Sequence, residues 1–124
     1  MSDLSVLLVE DDKASKLILE RMLKKMGFKI YVASDGLEAL NQLRQNRDFS
    51  LLLTDAYLPH LSGVELLGAI SAHPKLRQLP RILISADEKA CQTAREFGFW
   101  GSLRKPIQFD ALESLLRHPA LHIF

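Results

Sequence analysis

Short apolar runs alternate along the chain with segments of helical period. The apolar runs lack the polar alternation of a half-exposed strand, so they predict strands that are covered on both faces. These predicted strands span residues 4–9, 29–33, 51–54, 81–85 and 101–103.

In the segments between these runs, apolar residues recur at spacings of three and four, the period of an amphipathic helix. The second, third and fourth helices are predicted over 36–45, 63–72 and 88–97; the first ends at Gly27, and the fifth lies between Pro106 and Pro119. The residues predicted to face the core are Ile18, Leu19, Met22, Leu23 and Met26; Leu37, Leu40 and Leu43; Val64, Leu67 and Ile70; Cys91 and Ala94; and Leu112, Leu115 and Leu116.

Five strands that alternate with five helices predict an α/β fold. The expected architecture is a parallel sheet with right-handed crossovers and helices on both faces. A chain of 124 residues is the size of one ordinary domain. We therefore expect a single domain over 1–124 with no effector domain. Ligands of such sheets bind outside the carboxyl ends of the strands.

Composition and charge exclude several classes of protein. Hydrophobic residues at 48% and charged residues at 25% are average for a globular chain, which argues against disorder. The net charge of +1 provides no attraction to nucleic acid or to an anionic membrane, and no apolar run approaches the roughly 20 residues of a membrane span. The single Cys91 fits a reducing compartment, so we expect a cytoplasmic protein.

Polar side chains follow four of the predicted strands where each strand ends. Glu10 and Asp11 follow the first strand, Asp55 the third and Lys105 the fifth, while Ser85 ends the fourth. Because parallel strands end at one edge of the sheet, these groups should converge there. Clustered carboxylates repel one another, and a site of two or three protein oxygens favours Mg²⁺. The four histidines lack the spacing of metal ligands.

Each residue also has a structural interpretation when it is taken alone. Asp55 could cap a turn or a helix. The acids Glu10 and Asp11 could belong to the first turn of helix one, where the helix dipole favours negative charge, and this is our interpretation of Asp12. Lys105 before a proline could mark a helix start. Compatible chemistry at four separate strand ends favours a site instead.

The segments LLVEDD, LLLTDAYLPHLSG, ILISA and RKP, in this order, resemble the receiver domain of two-component response regulators, including the chemotaxis regulators. The resemblance covers nearly the whole chain. It implies a flavodoxin-like, doubly wound (βα)5 domain with strand order 2-1-3-4-5. It also implies that Asp55 accepts a phosphoryl group, whose oxygens the Ser85 hydroxyl and the Lys105 ammonium then bind.

The same resemblance implies a metal ion and protein partners. Mg²⁺ would be held by Glu10, Asp11, Asp55 and the backbone carbonyl of Tyr57. The phosphoryl donor would be a sensor histidine kinase or a histidine phosphotransfer protein, and the output a downstream protein target or a homodimer through the face of helix four, strand five and helix five. The chain would be no enzyme beyond its own aspartyl phosphorylation and dephosphorylation.

Two departures from the family pattern concern the region that changes conformation when a receiver is phosphorylated. Ser102 stands where receivers commonly carry an aromatic residue, and Phe99 and Trp100 lie just upstream; we interpret these two rings as packing residues. The segment before Lys105 is short, which would trim the fourth helix. A pseudo-receiver that only binds partners is therefore the alternative. A phosphohydrolase is disfavoured because Tyr57 stands where a second acid would be needed.

The apolar end of the chain is the last unexplained feature. Leu121, Ile123 and Phe124 have no predicted position in the core. A dimer contact and a linker are both open interpretations.

Overall fold

Five strands and five α-helices alternate in the computed structural model, which describes residues 4–45 and 48–124. The strands are β1 Ser5–Val9, β2 Lys29–Ala33, β3 Leu51–Asp55, β4 Arg81–Ser85 and β5 Gly101–Arg104. The helices are α1 Lys13–Lys25, α2 Gly36–Gln45, α3 Gly63–Ser71, α4 Glu88–Thr93 and α5 Phe109–Leu116, with 3-10 turns at Ala94–Phe97 and Pro119–Leu121. Within these two ranges, every helix is too short or too polar to cross a bilayer.

The strands form one parallel sheet in the order β2-β1-β3-β4-β5, which confirms the predicted fold class and strand order. The predicted strand positions are also confirmed to within one residue at each end. Strand β3 is one residue longer than predicted and ends on Asp55 itself. Asp55 is thereby held by the hydrogen bonding of a central strand.

The sheet is buried on both faces because helices cover each side. On one side Leu8 and Leu53 belong to a core that α1 and α5 complete with Leu19 and Leu112. On the other side Leu52 belongs to the core of α2 and α3. Burying one such side chain contributes about 1.5–3 kcal/mol, so the central strands have little freedom to shift.

The fourth helix is shorter than predicted. Helix α4 covers only Glu88–Thr93, and the rest of the predicted helix over 88–97 is the 3-10 turn Ala94–Phe97. The turn ends at Gly98, whose φ of 105° is a left-handed conformation that favours glycine. The trimming implied by the short segment before Lys105 is thus observed.

Three residues predicted to face the core lie at its margin instead. Ile18, Leu37 and Val64 are 49%, 55% and 41% exposed. In each of these helices, other residues of the same helix are buried in place of the predicted one. The buried residues of these helices are Leu19 and Leu23 in α1; Gly36, Ala39 and Leu43 in α2; and Gly63, Leu66, Leu67 and Ile70 in α3.

The apolar end of the chain does enter the core, contrary to our expectation. Leu121 and Ile123 are only 4% and 9% exposed and join the cluster of α1 and α5. The turn Pro119–Leu121 folds the chain back, which no helical or strand period in the sequence indicates. Phe124 stays 54% exposed, although its ring meets Phe28 edge to face at 5.8 Å.

Candidate functional site

Three carboxylates meet at the carboxyl edge of the central strands. Glu10 directly follows β1, and Asp55 ends β3, the neighbouring strand. One oxygen from each of Glu10, Asp11 and Asp55 lies within 4.8 Å of the others. Glu10 is fully buried and Asp55 nearly so, whereas Asp11 faces solvent.

The Lys105 ammonium lies between the two buried carboxylates. Its Nζ donates a hydrogen bond to Asp55 Oδ2 at 2.6 Å. Nζ also lies 2.5 Å from Glu10 Oε1, and this second contact is an ion pair that lacks the geometry of a hydrogen bond. Burial raises the pKa of Glu10 to about 7, although Lys105 opposes the rise. Burial also acts to lower the pKa of Lys105, but its attraction to the Asp55 and Glu10 carboxylates outweighs burial and raises that pKa. The site is therefore short of positive charge.

The backbone after β3 fixes the Asp55 side chain and lets helix α3 approach it. The Tyr57 amide donates to Asp55 Oδ1 at 3.1 Å. A Cβ at Gly63 would lie 2.8 Å from the Asp55 carbonyl oxygen, so a larger residue there would displace the loop. This is the tight approach that the glycine allows. Each oxygen of Asp55 thus has its own hydrogen-bond donor.

Ser85 ends the strand next to β3 and is buried to 1% exposure. The strand register places Asp55 opposite Ile84, so Ser85 lies one residue beyond it at the same edge. Its Oγ accepts a hydrogen bond from the Asp87 amide at 3.0 Å. The hydroxyl proton remains available to a ligand at this edge.

A hydrogen bond that our sequence analysis did not predict joins the loops after β3 and β4. The Tyr57 hydroxyl donates to Asp87 Oδ2 at 2.7 Å, and Asp87 also caps α4 by accepting from the Lys89 amide at 3.1 Å. The Tyr57 bond lowers the pKa of Asp87 and raises the pKa of the Tyr57 hydroxyl. An aspartate before a helix signals the cap, but no sequence spacing signals the tyrosine.

Asp12 and His60 serve the ends of helices rather than the acidic cluster. Asp12 serves the start of α1, as we interpreted it, but as the N-cap that precedes the first turn and accepts from the Ser15 amide at 2.8 Å. His60 Nδ1 lies 3.0 Å from Oδ2 of Asp35, and Asp35 Oδ1 accepts from the Glu38 amide at the start of α2. In the described ranges the candidate metal ligands are carboxylates alone.

Ser102, which stands where receivers commonly carry an aromatic residue, forms a hydrogen bond to helix α4. Ser102 Oγ donates to the Cys91 carbonyl at 3.0 Å and so connects β5 to α4. Phe99 is 2% exposed and packs with Leu83 and with Ala56, the residue that follows Asp55. Trp100 packs against the core that α1 and α5 complete. Both rings pack as we interpreted them.

The donor atoms of the cluster suit a hard divalent cation. Carboxylate oxygens prefer Mg²⁺ or Ca²⁺ to softer metals, and a small set of protein ligands with water on the open side fits Mg²⁺. Asp11 provides that open side because it is exposed. The raised pKa of Glu10 shows how strongly burial opposes its charge, and a further cation would offset this.

A parallel α/β sheet with acids and a lysine at its carboxyl edge is the architecture of a signal receiver. The family model of the response regulator receiver domain matches residues 6–117. The chain belongs to this family. It is similar to the chemotaxis protein CheY-3 of Vibrio cholerae, at 32% identity over 117 residues, which cover 92% of this chain and 89% of CheY-3.

Solved structures share the fold over nearly the whole chain. A structure from Chloroflexus aurantiacus matches with a TM-score of 0.89 at 28% identity, covering 98% of this chain and 99% of that one. The receiver domain of the sensor histidine kinase PA1611 from Pseudomonas aeruginosa matches with a TM-score of 0.85 at 26% identity, covering 94% and 96%. That receiver has a magnesium ion coordinated in its active site cleft.

Several relatives are longer than this chain. The chain spans 51% of the ycf29 protein of Pyropia yezoensis, 25% of the regulator-like protein APRR9 of Arabidopsis thaliana and 15% of the phosphodiesterase regA of Dictyostelium discoideum. The receiver domain is thus the part that they have in common with it.

Proposed function

We propose that the chain accepts a phosphoryl group on Asp55 from the phosphohistidine of a sensor kinase or phosphotransfer protein. The observation that carries this proposal is the setting of the Asp55 carboxylate. It ends a buried central strand, and the Tyr57 amide and the Lys105 ammonium each hold one of its oxygens. Membership of the receiver family supports the same role.

Phosphoryl transfer to an ionised carboxylate requires correct positioning and nearby positive charge, and it requires no general base. A carboxylate oxygen of Asp55 forms a bond to phosphorus while the bond from phosphorus to the donor imidazole breaks, and the imidazole leaves with that electron pair. Lys105 Nζ, 2.6 Å from Asp55 Oδ2, is placed to bind a phosphoryl oxygen. The Ser85 hydroxyl at the neighbouring strand end is placed to bind a second one.

Glu10, Asp11 and Asp55 would hold Mg²⁺, with the Tyr57 carbonyl as a further ligand. When bound, the ion supplies positive charge that stabilises the phosphoryl oxygens during transfer. Glu10 and Lys105 make opposite contributions to this site. The buried Glu10 would hold the cation in place, and Lys105 neutralises the carboxylates when none is bound.

The acceptor residue is tested with small phosphoryl donors. Incubation with Mg²⁺ and acetyl phosphate or phosphoramidate should add one acid-stable, base-labile phosphoryl group, detected by mass spectrometry. Asp55→Asn should abolish the addition, whereas Asp110→Asn, an exposed aspartate in the first turn of α5, should retain it. Phosphorylation that persists in the Asp55 variant would refute the assignment.

The output is proposed to be contact with a downstream protein, or a homodimer through α4, β5 and α5, in the cytoplasm. The bond from Ser102 to the Cys91 carbonyl favours altered switching on this face, because a serine cannot move as an aromatic ring does. A pseudo-receiver remains the second candidate function for this reason. Pull-downs with protein that has or has not been incubated with Mg²⁺ and acetyl phosphate separate the two, since a pseudo-receiver would retain the same partners after both treatments.

A further inference from the structure

A groove of about 660 Å³ lies at the amino ends of the strands, opposite the acidic edge. Its wall includes the residues that precede four strands: Leu4, Ser50, Pro80 and Trp100. Strand β3 has five residues at about 3.3 Å each, so its length separates the groove from Asp55 by roughly 16 Å. We refer to it as the basal groove.

Among the described residues that line the basal groove, Lys75 and Arg77 carry the charge, and none of these lining residues is a carboxylate. Lys75 and Arg77 come from the connection between α3 and β4, and His122 comes from the end of the chain. Neither Lys75 nor Arg77 forms an ion pair with an acid in the described ranges. By contrast, the groove along α1 places Glu20 beside Arg21 and Lys24.

A buried cation behind the wall adds to this positive charge. Arg81 is 6% exposed, its guanidinium donates to the Arg77 carbonyl, and it faces the Trp100 ring at 5.9 Å. Its Nε is buried without a hydrogen-bond partner, and no described carboxylate pairs with it. Burial lowers the pKa of Arg81, as expected for a cation that lacks a counter-ion.

The partly exposed apolar residues of the groove are Leu4, Pro80 and Trp100. Behind them the groove is backed by Phe49, Leu79, Leu121 and Ile123, which are buried within the two cores. Apolar contacts flanked by basic side chains match a ligand that combines carboxylates with apolar groups. The groove is only partly enclosed, whereas small-molecule pockets enclose most of their ligand, so an extended chain fits better.

We propose that the basal groove docks an acidic segment of a partner protein, with apolar side chains on its floor and carboxylates against Lys75 and Arg77. This site lies beyond the phosphorylation site and does not compete with it, because the two occupy opposite ends of the sheet. Docking here would hold a partner on the receiver whether or not Asp55 is phosphorylated.

The test uses a defined probe on the whole chain. A short peptide that alternates glutamate with leucine and phenylalanine is titrated into isotope-labelled protein, and amide shifts and Trp100 fluorescence are followed. The expected result is shifts confined to the groove lining and weaker binding at higher salt. Charge reversal with K75E and R77E together should weaken binding between about threefold and tenfold.

Matched controls separate this site from general attraction. R21E with K24E makes the same charge change on α1 and should leave binding unchanged. A peptide with glutamine for glutamate should bind measurably less. No binding, equal binding after K75E and R77E, shifts centred on α1, or the same shifts with inorganic phosphate alone would each overturn the proposal. Acetyl phosphate labelling of Asp55 in the same variants shows whether the phosphorylation site is intact.

Discussion

At the scale of single residues, Lys105 sets the electrostatics of the site. It is the cation between two carboxylates that burial has brought together, at 2.5 Å and 2.6 Å from their oxygens. The sequence indicated this role only through its position after β5, since Lys105 before Pro106 also reads as a helix start. The sequence predicted that Lys105 and Glu10 lie at the same edge but not that they form an ion pair, because β3 and β4 separate their strands and no sequence spacing encodes this contact.

Replacing Lys105 tests this role directly. Lys105→Met keeps an unbranched side chain that is one atom shorter and removes its charge, so phosphorylation by phosphoramidate should slow on the order of a hundredfold. Lys89→Met removes an exposed lysine from α4 and should leave the rate unchanged. Time courses resolved by mass spectrometry give the rates. An unchanged rate in Lys105→Met would show that the ammonium does not assist the transfer.

At the scale of elements, the start of helix α3 anchors the loop that follows Asp55. Ser62 Oγ accepts from the Glu65 amide at 3.1 Å, and the Glu65 carboxylate accepts from the Ser62 amide at 3.2 Å. This reciprocal capping box satisfies two backbone donors of the first turn. Gly63 then brings the helix against the Asp55 carbonyl.

Loss of the Ser62 cap should lower the stability of the folded protein. Ser62→Ala is expected to lower the free energy of unfolding by about 1 kcal/mol, measured by urea denaturation. Ser114→Ala replaces an exposed serine inside α5 that caps nothing, so its effect should be slight or stabilising. Equal destabilisation by both substitutions would mean that the capping box contributes nothing.

The elements also show what the sequence could and could not predict. The continuous apolar runs predicted the positions of all five strands, because a strand that is buried on both faces is apolar along its whole length. Helix faces were less certain: Val64 continued the apolar period yet lies 41% exposed, since Leu66 and Leu67 fill the contact with the sheet. Long-range contacts such as that of Tyr57 with Asp87 depend on how loops fold and have no local signal.

At the scale of the whole molecule, the proposed ion binding at the acidic edge would be linked to global unfolding. The candidate ligands come from the ends of β1 and β3, which lie together only when the sheet is formed. A ligand that binds the folded state alone stabilises it by RT ln(1 + [L]/Kd), which is about 1.4 kcal/mol at ten times Kd. Stability in urea therefore reports on the site without any phosphoryl transfer.

Two neighbouring acids make this measurement decisive. Mg²⁺ should raise the urea midpoint of the original protein, and Asp11→Asn should remove most of that rise because a ligand is lost. Asp12→Asn makes the same charge change one residue later, but its side chain caps α1 through the Ser15 amide, so the response to Mg²⁺ should persist. If instead Asp12→Asn abolished the response and Asp11→Asn kept it, the ligand set would be wrong. Because the two variants differ only in which acid is neutralised, general screening by Mg²⁺ would affect both alike.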